Sequence, residues 1–155
     1  MQRIHILIAA MALAAAVQPF SAARAAPSDA CALLTAAQVS AALGAPVKAG
    51  EPITPTDHKV CTWAGGKAGW VTLMLQTAEK FDAARRQAPA LAGAVSVTSV
   101  SGLGDGAMFV GMGDNTGLVV KKGGVSFKVA VYQHTTIDKK QAAEKTLAAQ
   151  ALTKL

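Results

Sequence analysis

The sequence predicts an α+β domain, an antiparallel sheet of about five or six strands with helices packed on it. Three observations carry that expectation. Val125, Phe127, Val129 and Val131 alternate with Ser126, Lys128 and Ala130, the two-residue period of a strand with one face buried. Thr35 with Gln38, and Asp138 with Gln141, are capping-box pairs that each open an apolar stripe at helical spacing. Between them the order reads helix, two strands, helix, four strands, helix, with no internal repeat, heptad or low-complexity tract.

The 155-residue chain starts with Arg3 and an apolar run over residues 4–17 broken only by His5. A small-residue stretch follows and ends Ala23-Arg24-Ala25. A basic start, a short apolar segment and an A-x-A site make a secretory signal peptide. The run is short of the roughly 20 residues a membrane span needs. Cleavage is expected after Ala25, because one residue later Pro27 would follow the scissile bond directly. Asp29 does not fit the small, apolar approach to a lipid-accepting Cys31, so the product reads as soluble and periplasmic or secreted, without a stable membrane span. Residues 26–155 then form one domain of ordinary size. With Arg3 and Arg24 removed, 13 basic residues stand against 9 acidic ones, a net charge of +4. That favours solubility over a nucleic-acid partner.

Leu34, Thr35 and Gln38 start the first helix, with Leu34 placed to staple onto Val39, and Gly44 and Pro46 end it. Residues 45–58 contain Pro46, Pro52 and Pro55 and read as an extended surface loop. Thr62 and Trp63 begin a strand that turns at residues 65–69 and returns over residues 70–76. Apolar residues on both faces of the returning strand suggest a central position. Thr77 caps a helix over residues 78–88, with Phe81, Ala84 and Ala88 facing in and Pro89 ending it. Strands are expected at residues 95–100, 107–110, 118–121 and 125–132, separated by glycine-rich turns. In the last helix Asp138 is the expected cap. Ala143, Leu147, Ala148, Ala151, Leu152 and Leu155 share its inner face.

Cys31 and Cys61 are the only cysteines. In an exported chain they pair most simply as a disulfide. The loop of about 30 residues then contributes roughly 3 to 4 kcal/mol by restricting the unfolded chain. The rival reading, Cys61 as a nucleophile with His58 as base, requires a reduced thiol of low pKa that nothing in the sequence supports.

Cys31-Ala-Leu-Leu-Thr, Leu43-Gly44, Cys61-Thr-Trp63 and Gly102-Leu-Gly104-Asp105 ahead of a hairpin and a C-terminal helix resemble a family of small secreted bacterial domains of unknown function. That family is common among envelope lipoproteins and is similar to the extracellular sensor domain of some receptor serine/threonine kinases. The resemblance implies a disulfide-bearing, non-catalytic α+β domain that binds a ligand or partner outside the membrane. It assigns no catalytic residue.

The remaining motifs favour structural roles. Gly102-Leu103-Gly104-Asp105-Gly106-Ala107 has the letters of a dinucleotide fingerprint, but a strand follows where a helix N-terminus is required. His58 and His134 are too few for zinc once both cysteines are oxidised. Met108 and Met112 share a strand face that soft Cu(I) can use, although methionine is commonly core filler. Any weak metal binding would fall to Met108, Met112 or His134. Asp105, Asp114 and Asn115 lack calcium-loop spacing and read as turn residues. Glu79 and Asp82 share a helix face without an apolar pocket to shift their pKa values. Arg85, Arg86, Lys121, Lys122, Lys128, Lys139 and Lys140 read as solvated cations spread over three elements. No cofactor, catalytic residue or metal site is assigned. The expected function is a non-catalytic extracytoplasmic binding or sensor-like domain, its partner an envelope protein or a small ligand. The alternative is an envelope protein-interaction factor, an inhibitor or assembly accessory.

Overall fold

A computed structural model describes residues 26–155; the expected signal peptide, residues 1–25, lies outside the described residues. A short 3-10 turn (Ala30–Ala32) and α1 (Ala36–Leu43) lead into β1 (Glu51–Thr54), β2 (Asp57–Ala64) and β3 (Trp70–Thr77). After β3 come α2 (Ala78–Gln87), β4 (Ser96–Val100), β5 (Gly106–Met112), β6 (Asn115–Lys122), β7 (Val125–Tyr132) and α3 (Ile137–Leu152). The seven strands make one antiparallel sheet in the order β1-β2-β3-β7-β6-β5-β4. Two meanders, β1–β3 and β4–β7, therefore join where β3 pairs with β7, and the segment carrying α2 leads from the centre of the sheet to its far edge.

The sheet carries one strand more than expected. The proline-rich segment 45–58 contains β1 and the first residues of β2, with Asp57 N–H donating to Thr54 Oγ1 in the turn between them. Proline is tolerated there because β1 is an edge strand with a register shift between Pro52 and Thr54. The second difference concerns the faces. Trp63, Val71, Leu73, Phe127, Val129, Val131, Leu118 and Val120 point to the face covered by Val39 and Leu43 of α1 and by Leu147, Ala148 and Ala151 of α3. The opposite face is partly covered as well, because Phe81 of α2 packs on Met108 and Val119. Helices thus lie on both faces. Ala84 is exposed, so Ala78 and Phe81 supply the buried contacts of α2.

The disulfide between Cys31 and Cys61 is present, and it joins the 3-10 turn ahead of α1 to β2. Asp29 caps that turn by accepting from the Cys31 N–H at 2.8 Å, and Lys154 Nζ donates to Ala32 O from the far end of the chain. A Cβ on Gly50 would fall 2.5 Å from Trp63 Nε1 and 2.8 Å from Cys61 Sγ, so the segment entering β1 can pass the disulfide only as glycine. The capping box at Thr35 and Gln38 forms as expected, and Leu34 and Val39 are both buried. The last helix begins earlier than expected. Thr136 is its N-cap and its carbonyl takes the first helical hydrogen bond, from Lys140 N, which leaves Asp138 inside the first turn. Among the described residues no helix is long and apolar enough to cross a membrane.

Candidate functional site

Trp70 is the first residue of β3 and Tyr132 the last of β7, and the ladder sets them directly opposite one another. Their rings stack with centroids 4.9 Å apart and planes 13° from parallel. Trp70 remains 47% exposed although it starts a central strand. The turn before it holds this end of the sheet together. Gly69 has φ +99° and lies so close to Tyr132 O that a side chain there would collide with the β7 backbone. The aromatic pair stands on the face shared with Thr72, Met74 and Ala130, beyond the part that Phe81 covers.

A groove of about 390 Å³ runs from this pair to the tip of the β5–β6 hairpin at Asp114 and Asn115, with Lys67, Gln133, His134 and Lys140 also on its walls. Its geometry follows from a splay in the sheet. Pairing of β6 with β7 stops at Leu118 and Val129, while β5 and β6 continue together to Met112 and Asn115. The hairpin tip therefore leaves β7, and α3 bridges the gap. Lys140 Nζ donates to Asp114 O at 2.7 Å, and Glu144 Oε1 accepts from the Val131 N–H at 3.0 Å.

Both α3 side chains are unusual in their burial. Lys140 is 6% exposed and Glu144 is fully buried. Among the described residues Glu144 Oε2 and Thr116 Oγ1 meet no hydrogen-bond geometry, although the Thr116 hydroxyl lies close enough to pull on the carboxyl. Burial pushes the Glu144 carboxyl up to about 7, against the pull of the Val131 N–H and of the Lys128 and Lys140 charges. The expectation that Lys140 is a solvated cation is thereby corrected. The spacing 140, 144, 147, 148, 151 continues the apolar stripe of α3 by one more turn toward its N-terminus, and that periodicity was the signal that both charges point inward.

The other candidate residues are dispersed. His58 is exposed on β2, and Cys61 is buried in the disulfide. Met108 is buried beneath Phe81, whereas Met112 is 64% exposed. Gly102 and Gly104 adopt positive φ in a turn that leads into β5, and Asp105 accepts from the Gly123 N–H at 2.6 Å. Asp82 pairs with Lys121 at 2.7 Å, and that hydrogen bond holds its carboxyl below the usual range. Glu79, beside the Thr77 hydroxyl, is also lowered. Both shifts run against a role as proton donor near neutrality. Lys122 approaches Asp105 at 3.9 Å, while Arg85 and Arg86, exposed on α2, and Lys121 all act on the Asp82 carboxylate. Among the described residues no group of three or more His, Cys, Asp or Glu side chains is placed to hold a metal ion. The chain matches no family model and no curated protein sequence.

Proposed function

We propose that this chain is a non-catalytic extracytoplasmic binding domain whose ligand occupies the groove beside Trp70 and Tyr132. The observation that carries the reading is the exposed aromatic stack. An indole half open to water on a central strand forgoes burial worth roughly 25 cal/mol per Å² of apolar surface, and a flat apolar ring with a polar edge suits contact with a partner molecule. The cavity size falls within the range of about 300 to 1,000 Å³ common to small-ligand sites. Export is supported by the signal-like N-terminal sequence and by the disulfide, which favours an oxidising compartment. The non-catalytic part is supported by the placement of Glu144. Its carboxyl lies in the acid–base range yet is wholly buried, with one oxygen held by the Val131 N–H.

The test is a thermal-shift screen of oxidised residues 26–155 against small molecules of the bacterial envelope. A ligand present at a hundred times its Kd should stabilise the fold by about 2.7 kcal/mol, and Trp70→Ala should abolish the shift. If no small molecule stabilises the domain while cross-linking in cells traps one defined protein, the reading fails in favour of an envelope protein-interaction factor.

A further inference from the structure

We infer that the groove takes an acidic saccharide, a pyranose ring carrying a carboxylate, with the C–H face of the sugar against Trp70 and the carboxylate beside Lys140. The inference rests on the binding reading above and specifies its ligand class.

Lys140 supplies the first argument. Its ammonium is drawn out of water, yet among the described residues its hydrogen bond goes to a backbone carbonyl, Asp114 O, and no carboxylate lies within ion-pair distance of it. A lysine ammonium has three donors, so two remain for an incoming group. A buried cation with no carboxylate within ion-pair distance is costly, and a ligand carboxylate at the groove wall would offset more of that cost than the buried Glu144 does. Glu144 lies one turn further along α3, where its Oε1 accepts from the Val131 N–H; the Lys140 charge acts on its carboxyl, but the two are not within ion-pair distance. Lys67 adds a second cation, against the single side-chain carboxylate of Asp114, so the groove carries a net positive charge.

The second argument comes from the opposite wall and the rim. The Trp70–Tyr132 stack is a planar apolar surface of the kind on which the axial C–H groups of a sugar ring can rest. Around it stand Asn115, Gln133 and His134, which can both donate and accept. One Gln133 Nε2–H donates to Leu43 O, which leaves its second N–H and its carbonyl oxygen for a ligand. Side chains that both donate and accept suit a ring of hydroxyls. An aromatic or fatty acid would satisfy the cation and the aromatic wall but leave these groups without partners.

The experiment is isothermal titration of residues 26–155 with digalacturonate, with its methyl ester as the uncharged counterpart and with benzoate as an aromatic acid. Digalacturonate should bind; esterification and Lys140→Met should each weaken it by at least tenfold, and Trp70→Ala should abolish it. Lys140→Arg, which keeps the charge, should retain most of the affinity. If Lys140→Met fails to give the wild-type circular dichroism spectrum, the ester and Lys140→Arg arms decide. Equal binding of acid and ester, or tighter binding of benzoate, overturns the acidic-saccharide assignment. If digalacturonate does not bind but another compound stabilises the domain through Trp70, the assignment fails and the binding reading stands. If nothing acts through Trp70, both fail.

Discussion

Glu144 shows how a single side chain can set the pH dependence of the fold. It fills the gap where β6 leaves β7, and it is faced by Lys128, Lys140, Thr116 and the Val131 N–H. Burial raises the carboxyl from 4.5 to about 7, so the folded state holds its proton more tightly than the unfolded chain does. The associated stability is complete below about 4.5 and is lost as pH rises through about 7. At 1.36 kcal/mol per pH unit the loss amounts to up to about 3 kcal/mol. Asp82 acts in the opposite sense, its contribution being present above 3.8 and lost in more acidic solution, but it is solvent-screened on α2. Glu144→Gln keeps an acceptor for Val131 N–H and places an NH2 near the Thr116 hydroxyl. Urea denaturation at pH 5 and pH 8 should therefore show the variant gaining most on the wild type at the higher pH, with its own stability nearly level between the two. A variant that loses equally at both would show that Glu144 is ionised and paired in the fold. Neither Lys140 nor Glu144 was legible by residue type, because lone charges are usually solvated; only their position on the α3 stripe showed where they point.

Among the elements, the legible ones carry local signals. The capping box at Thr35, the strand at β7 and the apolar stripe of α3 are each signalled within a few neighbouring residues, and each formed. Ser126 and Ala130, on the face of β7 expected to be wet, are nevertheless buried as well, because α2 and its neighbours cover part of that face. β1 was hidden because Pro52 is unfavourable in a strand interior, and only its edge position, a non-local fact, makes it acceptable. The face that α2 covers was equally hidden, since a helix pattern shows which of its own sides is apolar but not which side of the sheet receives it. Two of the contacts that fasten α2 differ in weight. The Lys121–Asp82 pair has side chains 26% and 38% exposed, so solvent screens it and it adds little to stability. Phe81 is 2% exposed against Met108 and Val119, and truncating such a ring costs about 3 to 5 kcal/mol. Phe81→Ala should accordingly destabilise the domain several times more than Asp82→Ala in urea titrations, and amide exchange should accelerate in α2 before α3. Equal losses from the two variants would place the anchorage of α2 in the ion pair instead.

For the whole molecule, what the sequence cannot state is how its two meanders meet. The β3–β7 ladder joins residues 70–77 to residues 125–132, and no local pattern encodes a pairing across such a distance. The Trp70–Tyr132 stack is a product of that ladder, which is why the groove did not emerge from either residue alone. The disulfide is the long-range contact the sequence did reveal, because there were only two cysteines to join. It acts where three distant segments converge: the 3-10 turn at residues 30–32, β2 at Cys61, and Lys154 reaching back to Ala32 O. Closing a loop of about 30 residues restricts the unfolded chain by roughly 3 to 4 kcal/mol, a large fraction of the roughly 5 to 15 kcal/mol typical of a whole domain. Replacing both cysteines by alanine should therefore lower the urea-unfolding free energy by about that amount. The Trp63 environment should loosen first, because Trp63 and Cys61 lie on the same face of β2 and both pack beside Gly50. Near-ultraviolet circular dichroism reports that indole, provided Trp70→Phe is used as the background to remove the exposed one. A double variant as stable as the oxidised protein, with an unchanged near-ultraviolet spectrum, would show that the convergence of the three segments is held by apolar packing alone.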